Sequence, residues 1–188
     1  MVRLVHETPV HVDAREALLD AAFGAARFAK TSERLREDRL PANKLALVAL
    51  QGRRLVGTVR LWNIAAGPGR PALLLGPLAV AQDCRGRGVG AALMRRAIAD
   101  ATTMGHRAIL LVGDATYYSR FGFSAAHTGG LWLPGPVDRD RFLGLELSAG
   151  ALEGAWGLVS PTGALEPLPD LSTLVAAAVQ HERFALAA

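Results

Sequence analysis

"VAQDCRGRGVGAALMRRAIA", residues 80–99, joins an apolar run to an amphipathic helix through a glycine-rich turn. Gly86, Gly88 and Gly90 are spaced two residues apart, beside two arginines. The first turn of a helix has unpaired backbone N–H groups and the positive end of the helix dipole, and glycine lets an oxyanion approach that backbone closely. Arginines at such a turn add charge-assisted hydrogen bonds. The stretch therefore predicts a phosphate-binding turn, with pyrophosphate as a natural ligand.

Two common phosphate-binding motifs have to be compared with this turn. A P-loop requires a Gly-Lys pair, and the sequence contains none. A dinucleotide-binding fingerprint remains an alternative, because Gly86, Gly88 and Ala91 fit G-x-G-x-x-A and Asp114 follows the next strand as a candidate ribose ligand. That fingerprint normally lies near the start of its βαβ unit, whereas this turn lies near the middle of the chain. A dinucleotide-binding oxidoreductase is therefore the less favoured interpretation.

Composition restricts the class of protein. The chain has 188 residues, of which 51% are apolar and 20% charged, as expected for one globular domain. The net charge is +4, but the arginines are spread along the chain and only three Trp and two Tyr are available for base stacking, so we expect no nucleic-acid partner. Neither a membrane span nor a secretory signal is expected, and one cysteine suits a reducing cytoplasm. The scattered histidines predict no metal site.

The N-terminal part of the chain predicts a strand, two helices and a β-hairpin. Asp13 and Glu16 predict a capping box at the start of the first helix, and Thr31 or Ser32 is expected to cap a short second helix. The run "LALVALQGRRLVGTVRLWNI" predicts two strands around a turn at residues 51–53.

The remainder predicts strands that alternate with helices. "ALLLGPLAV" is typical of a strand buried on both faces, and Pro77 within it predicts a bulge or break. The glycine turn leads into a helix that ends near Gly105, followed by the strand "RAILLVG", the short helix "DATYYSR" and the strand "RFLGLEL". A last helix is expected after Ser172. This order predicts an α/β fold with a mixed sheet.

Two ordered motifs resemble the GCN5-related N-acetyltransferase (GNAT) superfamily. Arg85, Gly88 and Gly90 match its motif (R/Q)-x-x-G-x-(G/A), and "YYSRFGF", residues 117–123, matches its aromatic helix ending in Gly-Phe. The hairpin phrase "GRRLVGTVRL" looks like the superfamily's second and third strands. The resemblance implies a mostly antiparallel sheet, splayed at the fourth and fifth strands and flanked by helices. It implies an N-acetyltransferase domain at residues 1–147, with residues 148–188 as a C-terminal extension packed on the same domain.

The resemblance also implies a reaction: transfer of acetyl from acetyl-CoA to a primary amine of an unidentified small-molecule or peptide acceptor, by direct attack in a ternary complex. Tyr118, four residues before Gly122, stands where the superfamily's general acid usually lies. A backbone N–H near Leu78 would stabilise the developing oxyanion. With reference pKa values near 10 for tyrosine and roughly 8.5 for a thiol, full proton transfer is uphill by about 2 kcal/mol, so a strengthening hydrogen bond is expected.

The implied coenzyme-binding residues form two groups. One is the strand segment that would pair with the pantetheine arm, and the other is the turn whose amides would hold the pyrophosphate. They are Leu78, Ala79 and Val80 in the strand, and Arg85, Gly86, Arg87, Gly88, Val89, Gly90 and Ala91 in the turn.

The sequence leaves the general base and the acceptor open. The fourth strand lacks the glutamate that many GNAT members use as a base, so deprotonation falls to water, to the bulk or to a carboxylate from another element. Glu33, Glu37 and Asp38 are candidates to line the acceptor pocket, with a solvated helix face as the alternative. His127 is interpreted as a surface-loop residue.

Other departures concern the coenzyme site and the tail. Many members have an asparagine after the fifth strand, whereas this chain has Gly113–Asp114, and we interpret Asp114 as a helix N-cap. Cys84 is interpreted as a small packed residue. The tail from Ser148 either closes the acceptor pocket or builds a homodimer. A non-catalytic acyl-CoA sensor remains a second hypothesis for the whole chain.

Overall fold

The structure is a computed structural model that describes residues 1–167, so the helix expected after Ser172 lies outside the described residues. Within this range the chain forms eight β-strands and three α-helices, joined by short 3-10 turns. The strands are β1 (Val2–His6), β2 (Ala46–Gln51), β3 (Arg54–Ala66), β4 (Pro71–Val80), β5 (Ala108–Val112), β6 (Gly130–Trp132), β7 (Phe142–Glu146) and β8 (Trp156–Pro161). The helices are α1 (Val12–Phe23), α2 (Val89–Thr103) and α3 (Ala115–Ser119).

The strands form one mixed sheet in which most neighbours are antiparallel. Their order is β1-β2-β3-β4-β5-β7, and β8 pairs with both β3 and β6. Only the β4–β5 and β6–β8 pairs are parallel among the described strands. This arrangement confirms the predicted α/β mixed sheet, and it differs from the parallel, doubly wound sheet on which a dinucleotide fingerprint is normally found.

The sheet opens between β4 and β5. These strands pair only at Leu73–Ile109 and Leu74–Leu110. Further along, β4 stays paired with β3 as far as Val80, while β5 stays paired with β7. The two strand ends therefore diverge, and the side of β4 that faces the gap has no strand beside it.

A bulge in β4 lies at the start of this opening. Its register against β3 shifts so that Gly76 and Pro77 together lie opposite the single residue Arg60. The break predicted at Pro77 is therefore confirmed. Gly76 has a φ of 133°, a conformation that side chains other than glycine rarely adopt.

The helix after the glycine turn buries the face predicted from its periodicity. Leu93, Met94, Ala97 and Ala101 on α2 are buried against the sheet. Gly57 on β3 permits this close approach, because a Cβ atom there would lie only 2.9 Å from the Leu93 side chain. The opposite face of the sheet packs against other segments, including Leu35, Leu131 and Leu133.

The prediction for the start of α1 was wrong. The helix begins at Val12 with His11 at its N-cap, and Glu16 forms ion pairs with two arginines instead of closing a capping box with Asp13. The capping box lies one turn earlier, where the Thr8 N–H donates to His11 Nδ1 at 3.0 Å. The Glu16 side chain is therefore engaged in ion pairs and does not form the cap that the local pattern predicts.

Two further differences concern short elements. The expected second helix is a single 3-10 turn, Glu33–Leu35, in which the N-cap Ser32 makes no side-chain cap hydrogen bond. β8 was not predicted, because glycine and proline interrupt its sequence. Its pairing with β3 means that residues 156–161 extend the same sheet that the earlier strands build.

Candidate functional site

A cleft of about 950 Å³ lies at the opening between β4 and β5. Its walls come from α1 and the turns that follow it, from the middle of β3, from the β4 bulge and from the segment joining β5 to α3. Ligand sites in proteins typically have volumes of roughly 300–1,000 Å³, so the cleft has room for an extended ligand.

The glycine turn lies at one end of this cleft, where α2 begins. Gly88 is the N-cap of α2 with a φ of 80°, and Gly86 has a φ of 76°. The backbone N–H groups of residues 86–91 have no hydrogen-bond acceptor among residues 1–167. Six adjacent donors at the positive end of a helix form a cradle suited to a phosphate group.

Arg85 links this turn to the end of β4. Its Nε donates to the Val80 carbonyl at 3.3 Å, and both Arg85 and Gly90 line the cleft. Of the predicted strand segment, Leu78 and Val80 line the cleft, whereas the side chain of Ala79 is buried elsewhere. A role for this segment through its backbone does not require the Ala79 side chain to face the ligand.

The remaining predicted turn residues lie at the surface around the cradle or beneath it. Arg87 is exposed, Val89 at the start of α2 is buried in the core, and Ala91 is half-buried. Cys84 is 2% exposed and packs in the core, which confirms its interpretation as a small buried residue.

Tyr117 lies over the first turn of α2. A Cβ atom at Gly90 would be only 2.8 Å from its hydroxyl oxygen, so a side chain at position 90 would displace that hydroxyl. Arg120 stacks on the Tyr117 ring, with its guanidinium carbon 4.2 Å from the ring centroid. The sequence did not identify Tyr117 as a site residue, and no local signal could have done so, because the contact joins two separate helices.

Tyr118 lies on the other side of α3 against the end of β5. A Cβ atom at Gly113 would be 2.2 Å from Cε2 of its ring, so only glycine leaves room for the ring at that position. The rings of Tyr117 and Tyr118 meet edge to face, with centroids 4.9 Å apart. Both tyrosines line the cleft, and neither hydroxyl has a recorded hydrogen-bond partner among residues 1–167.

Burial raises the pKa of Tyr118 to about 12, and the nearby Tyr117 and Asp114 add to this rise, while the charge of Arg141 opposes it. The hydroxyl is therefore protonated at neutral pH and can donate a hydrogen bond into the cleft. Asp114 itself accepts a hydrogen bond from the Tyr117 N–H at 2.7 Å, which confirms its interpretation as the N-cap of α3.

Buried ion pairs hold the wall formed by α1. Glu7, whose side chain is only 6% exposed, accepts hydrogen bonds from both Arg15 and Arg60. Burial alone would raise the pKa of Glu16, but Arg15 and Arg27 hold it below its ordinary value. These pairs join α1 to β3 on the side of the cleft opposite the tyrosines.

The predicted carboxylates also lie at the cleft. Glu33, Glu37 and Asp38 all line it, and Glu33 is paired with Arg36. The side chain of His127 packs near Gly144 and does not line the cleft. Arg36 reaches the β4 bulge, with one guanidinium nitrogen 3.7 Å from the position of a Cβ at Gly76.

Residues 1–167 contain no group of three or more His, Cys, Asp or Glu side chains arranged to hold a metal ion. No helix in the same range combines the length and apolar character needed to cross a membrane.

Comparison with known proteins gives consistent matches. The sequence model of the Acetyltransferase (GNAT) family matches residues 13–123. The uncharacterized N-acetyltransferase YhbS of Escherichia coli K12 is 31% identical over 154 residues, which cover 81% of this chain and 92% of YhbS. YjhQ, another uncharacterized N-acetyltransferase of that strain, is 34% identical over 125 residues, covering 64% of this chain and 68% of YjhQ.

Solved structures show the same similarity. A crystal structure of E. coli YhbS in complex with CoA matches with a TM-score of 0.71 and 30% identity, over 86% of this chain and 89% of YhbS. A GNAT-family acetyltransferase from Brucella melitensis in complex with acetyl-CoA matches with a TM-score of 0.56 over 77% of this chain and 96% of that one. At 24% identity the second match supports the fold alone.

Proposed function

The chain belongs to the acetyltransferase (GNAT) family, and on that premise we propose that it transfers acetyl from acetyl-CoA to a primary amine. One observation carries the proposal: six backbone N–H groups that have no acceptor among residues 1–167 lie at the N-terminus of α2, beside the gap between β4 and β5. The donors suit a pyrophosphate, and the gap leaves a strand edge free for an extended arm. Coenzyme A has both parts.

The residues present fit that co-substrate. The amides of residues 86–91 would bind the pyrophosphate, with Arg85 and Arg87 adding charge. The backbone of residues 78–80 would pair with the pantetheine arm as an added strand does. The E. coli relative YhbS was crystallised with CoA, which supports the same ligand here. When bound, acetyl-CoA supplies the acyl thioester that an amine attacks.

Tyr118 would donate a hydrogen bond to the sulfur as the thiolate departs. With the tyrosine pKa near 12 and a thiol pKa of roughly 8.5, complete proton transfer would be uphill by about 5 kcal/mol. Tyr118 therefore acts as a hydrogen-bond donor that strengthens as negative charge develops, rather than as a full proton donor. A backbone N–H near Leu78, beside the β4 bulge, would stabilise the oxyanion.

Paired glycine variants test the coenzyme site. Gly88 and Gly105 lie at opposite ends of α2 with φ values of 80° and 81°, and an added Cβ would meet nothing within 4 Å at either position. Gly88→Val and Gly105→Val should therefore strain the backbone similarly. In calorimetric titrations with acetyl-CoA, we expect Gly88→Val to lose binding and Gly105→Val to retain it, with NADH and ATP as ligand controls. Equal affinity in the two variants would rule out the turn as the phosphate site.

A non-catalytic acyl-CoA sensor is the alternative that this family leaves open. The presence of Tyr118 in the lining of the cleft supports an enzyme. Tyr118→Phe keeps the ring that packs on Gly113 and removes the hydroxyl. We expect it to lower the rate of amine acetylation at least several-fold while CoA affinity stays the same. A wild-type chain that binds acetyl-CoA but acetylates no amine would favour the sensor.

A further inference from the structure

Two of the cations that line the cleft have no anionic or hydrogen-bond partner among residues 1–167, whereas the others do. Six of the eight lysine and arginine side chains that line the cleft donate to a carboxylate or to a backbone carbonyl: Arg15, Arg27, Arg36, Arg39, Arg60 and Arg85. Among residues 1–167, neither Lys30 nor Arg141 forms an ion pair or a side-chain hydrogen bond, and the one recorded contact of the Lys30 ammonium there is with the face of the Phe23 ring. The cleft therefore presents two positive groups that the fold does not neutralise.

Lys30 and Arg141 belong to segments that are fastened to each other. The Thr31 hydroxyl, next to Lys30, donates to the Pro136 carbonyl at 2.6 Å, and Arg34 donates to the Pro134 carbonyl at the same distance. These bonds tie the turns after α1 to the loop that leads into β7. These side-chain-to-backbone bonds hold the two segments together, and the Lys30 ammonium also lies 4.4 Å from the centroid of the Phe23 ring in a cation–π contact.

Arg139, in the same loop as Arg141, has a structural role. Its guanidinium donates to the carbonyls of Thr128, Gly129 and Leu131 and so holds the loop together. Arg141, two residues later, makes no such contacts and lines the cleft instead. The Arg139 guanidinium therefore stabilises the loop, whereas the Arg141 guanidinium is available for a ligand.

The electrostatics of the cleft agree with an excess of positive charge at this point. Burial lowers the pKa of Lys30, and the charges of Arg36 and Arg141 lower it further, against the opposing effect of Glu33. The charge of Arg141 also reaches Tyr118. Lys30, Arg141 and Tyr118 all line the same cleft, so an acceptor bound there would meet both cations near the tyrosine at which acetyl transfer is proposed.

We propose that the acceptor is an amine that also carries an anionic group, a carboxylate or a phosphate, which Lys30 and Arg141 bind together. The inference rests on the proposed function and specifies its substrate class. Arginine forms paired hydrogen bonds to the oxygens of either anion, and lysine adds a point charge. Hydrogen bonds to charged groups contribute roughly 1.5–3 kcal/mol, so removing one of the two cations should lower kcat/KM about 10- to 100-fold.

Matched amines test this in the reaction. Each pair differs only in the anion: amino acids against their amides for the carboxylate, and phosphoethanolamine against ethanolamine for the phosphate. We expect the wild-type chain to favour the anionic member of at least one pair by 10-fold or more in kcat/KM, and the pair concerned identifies the anion. Lys30→Gln and Arg141→Gln should each reduce that preference, whereas Lys44→Gln and Arg53→Gln, which lie outside the cleft, should not.

Different results would contradict the proposal of an anionic acceptor and the proposal of acetyl transfer on which it rests. Acetylation of neutral amines as fast as of their anionic partners would overturn the inference and leave acetyl transfer intact. A large loss of CoA affinity in Lys30→Gln or Arg141→Gln would also overturn it, because the cations would then serve the coenzyme. Failure of the unaltered chain to bind acetyl-CoA would instead overturn the proposed function.

A second measurement needs no acceptor. Lys30 and Lys44 are the only lysines in the sequence, so reductive methylation with ¹³C-formaldehyde labels these two side chains and the α-amino group while keeping their charges. Acetate or inorganic phosphate should shift the NMR signal of Lys30 and not that of Lys44, and Arg141→Gln should abolish the shift. An unmoved Lys30 signal, or equal shifts for both lysines, would contradict an anion site.

Discussion

Replacing Gly113 by alanine should disable Tyr118 without removing it. The added methyl carbon would lie 2.2 Å from Cε2 and 2.8 Å from Cδ2 of the tyrosine ring. The Gly113 N–H donates to the Arg141 carbonyl at 2.9 Å, which holds the backbone in place, so the ring has to yield. To restore ordinary contact the ring must move by about 1 Å, and a misplacement of that size can lower a rate roughly 100-fold.

The measurements are kcat for release of free CoA, CoA affinity by calorimetry, and the free energy of unfolding in urea. We expect Gly113→Ala to lower kcat about 100-fold with little change in CoA affinity, because the cradle at residues 86–91 is untouched. Overpacking of this kind also destabilises a fold by about 1–3 kcal/mol. Both effects should appear together, since one displaced ring causes them.

Gly129→Ala is the matched control. Gly129 has a helical φ of −53°, and a Cβ there would meet nothing within 4 Å, so this variant should match the wild type in rate and stability. If Gly113→Ala were as stable and as active as Gly129→Ala, Tyr118 could not pack against the end of β5, and the argument for its raised pKa would fail with it.

Two other predictions concern buried charge and the tyrosines. Glu7→Gln should lower the free energy of unfolding by about 3 kcal/mol, because it leaves Arg15 and Arg60 without their shared carboxylate in a buried site. The control is Asp83→Asn, which breaks the exposed Arg54–Asp83 pair and should leave the melting temperature unchanged. In Tyr117→Phe, phenolate absorbance reports Tyr118 alone, since the chain has two tyrosines, and the Tyr118 pKa should stay raised above 10 by burial, although without the part of the rise that Tyr117 contributes. Because the folded-state pKa is raised, the stability contributed by burying neutral Tyr118 is complete below about pH 10 and is lost, by up to about 3 kcal/mol, as the pH rises towards 12. The Tyr118→Phe variant should not show this loss. Titration of Tyr118 at pH 10 would contradict its burial.

The glycine turn could be predicted from sequence because its physics is local. The spacing of Gly86, Gly88 and Gly90 and the start of α2 lie within a few residues of one another, and positive φ at the first two needs no distant partner. The break at Pro77 is local for the same reason, since proline cannot donate to the sheet. Tyr118 could be selected through its spacing from Gly122, but its environment could not.

What the sequence could not supply are contacts between distant segments. Gly113 looked only like the absence of the family's asparagine, and its role in admitting the Tyr118 ring appears once α3 is folded back on β5. Lys30 and Arg141 belong to regions with no shared pattern, and hydrogen bonds from the side chains of Thr31 and Arg34 to backbone carbonyls join those regions at one cleft. The mistaken cap of α1 has a similar origin, because Glu16 pairs with arginines that the local pattern does not weigh.

The same distant contacts bear on how the acceptor amine loses its proton. β4 has no glutamate, Glu33 is engaged by Arg36, and a tyrosine with a pKa near 12 remains a donor at neutral pH. Lys30 reports the local potential: burial and the charges of Arg36 and Arg141 lower its pKa. In the proposed binding mode the anion of the acceptor would neutralise Lys30 and Arg141, so desolvation rather than these two charges would lower the pKa of the acceptor ammonium. Glu37 and Asp38 line the same cleft, so either a carboxylate or water can take the proton there, and Glu37→Gln with Asp38→Asn should slow acetylation only if a carboxylate takes it.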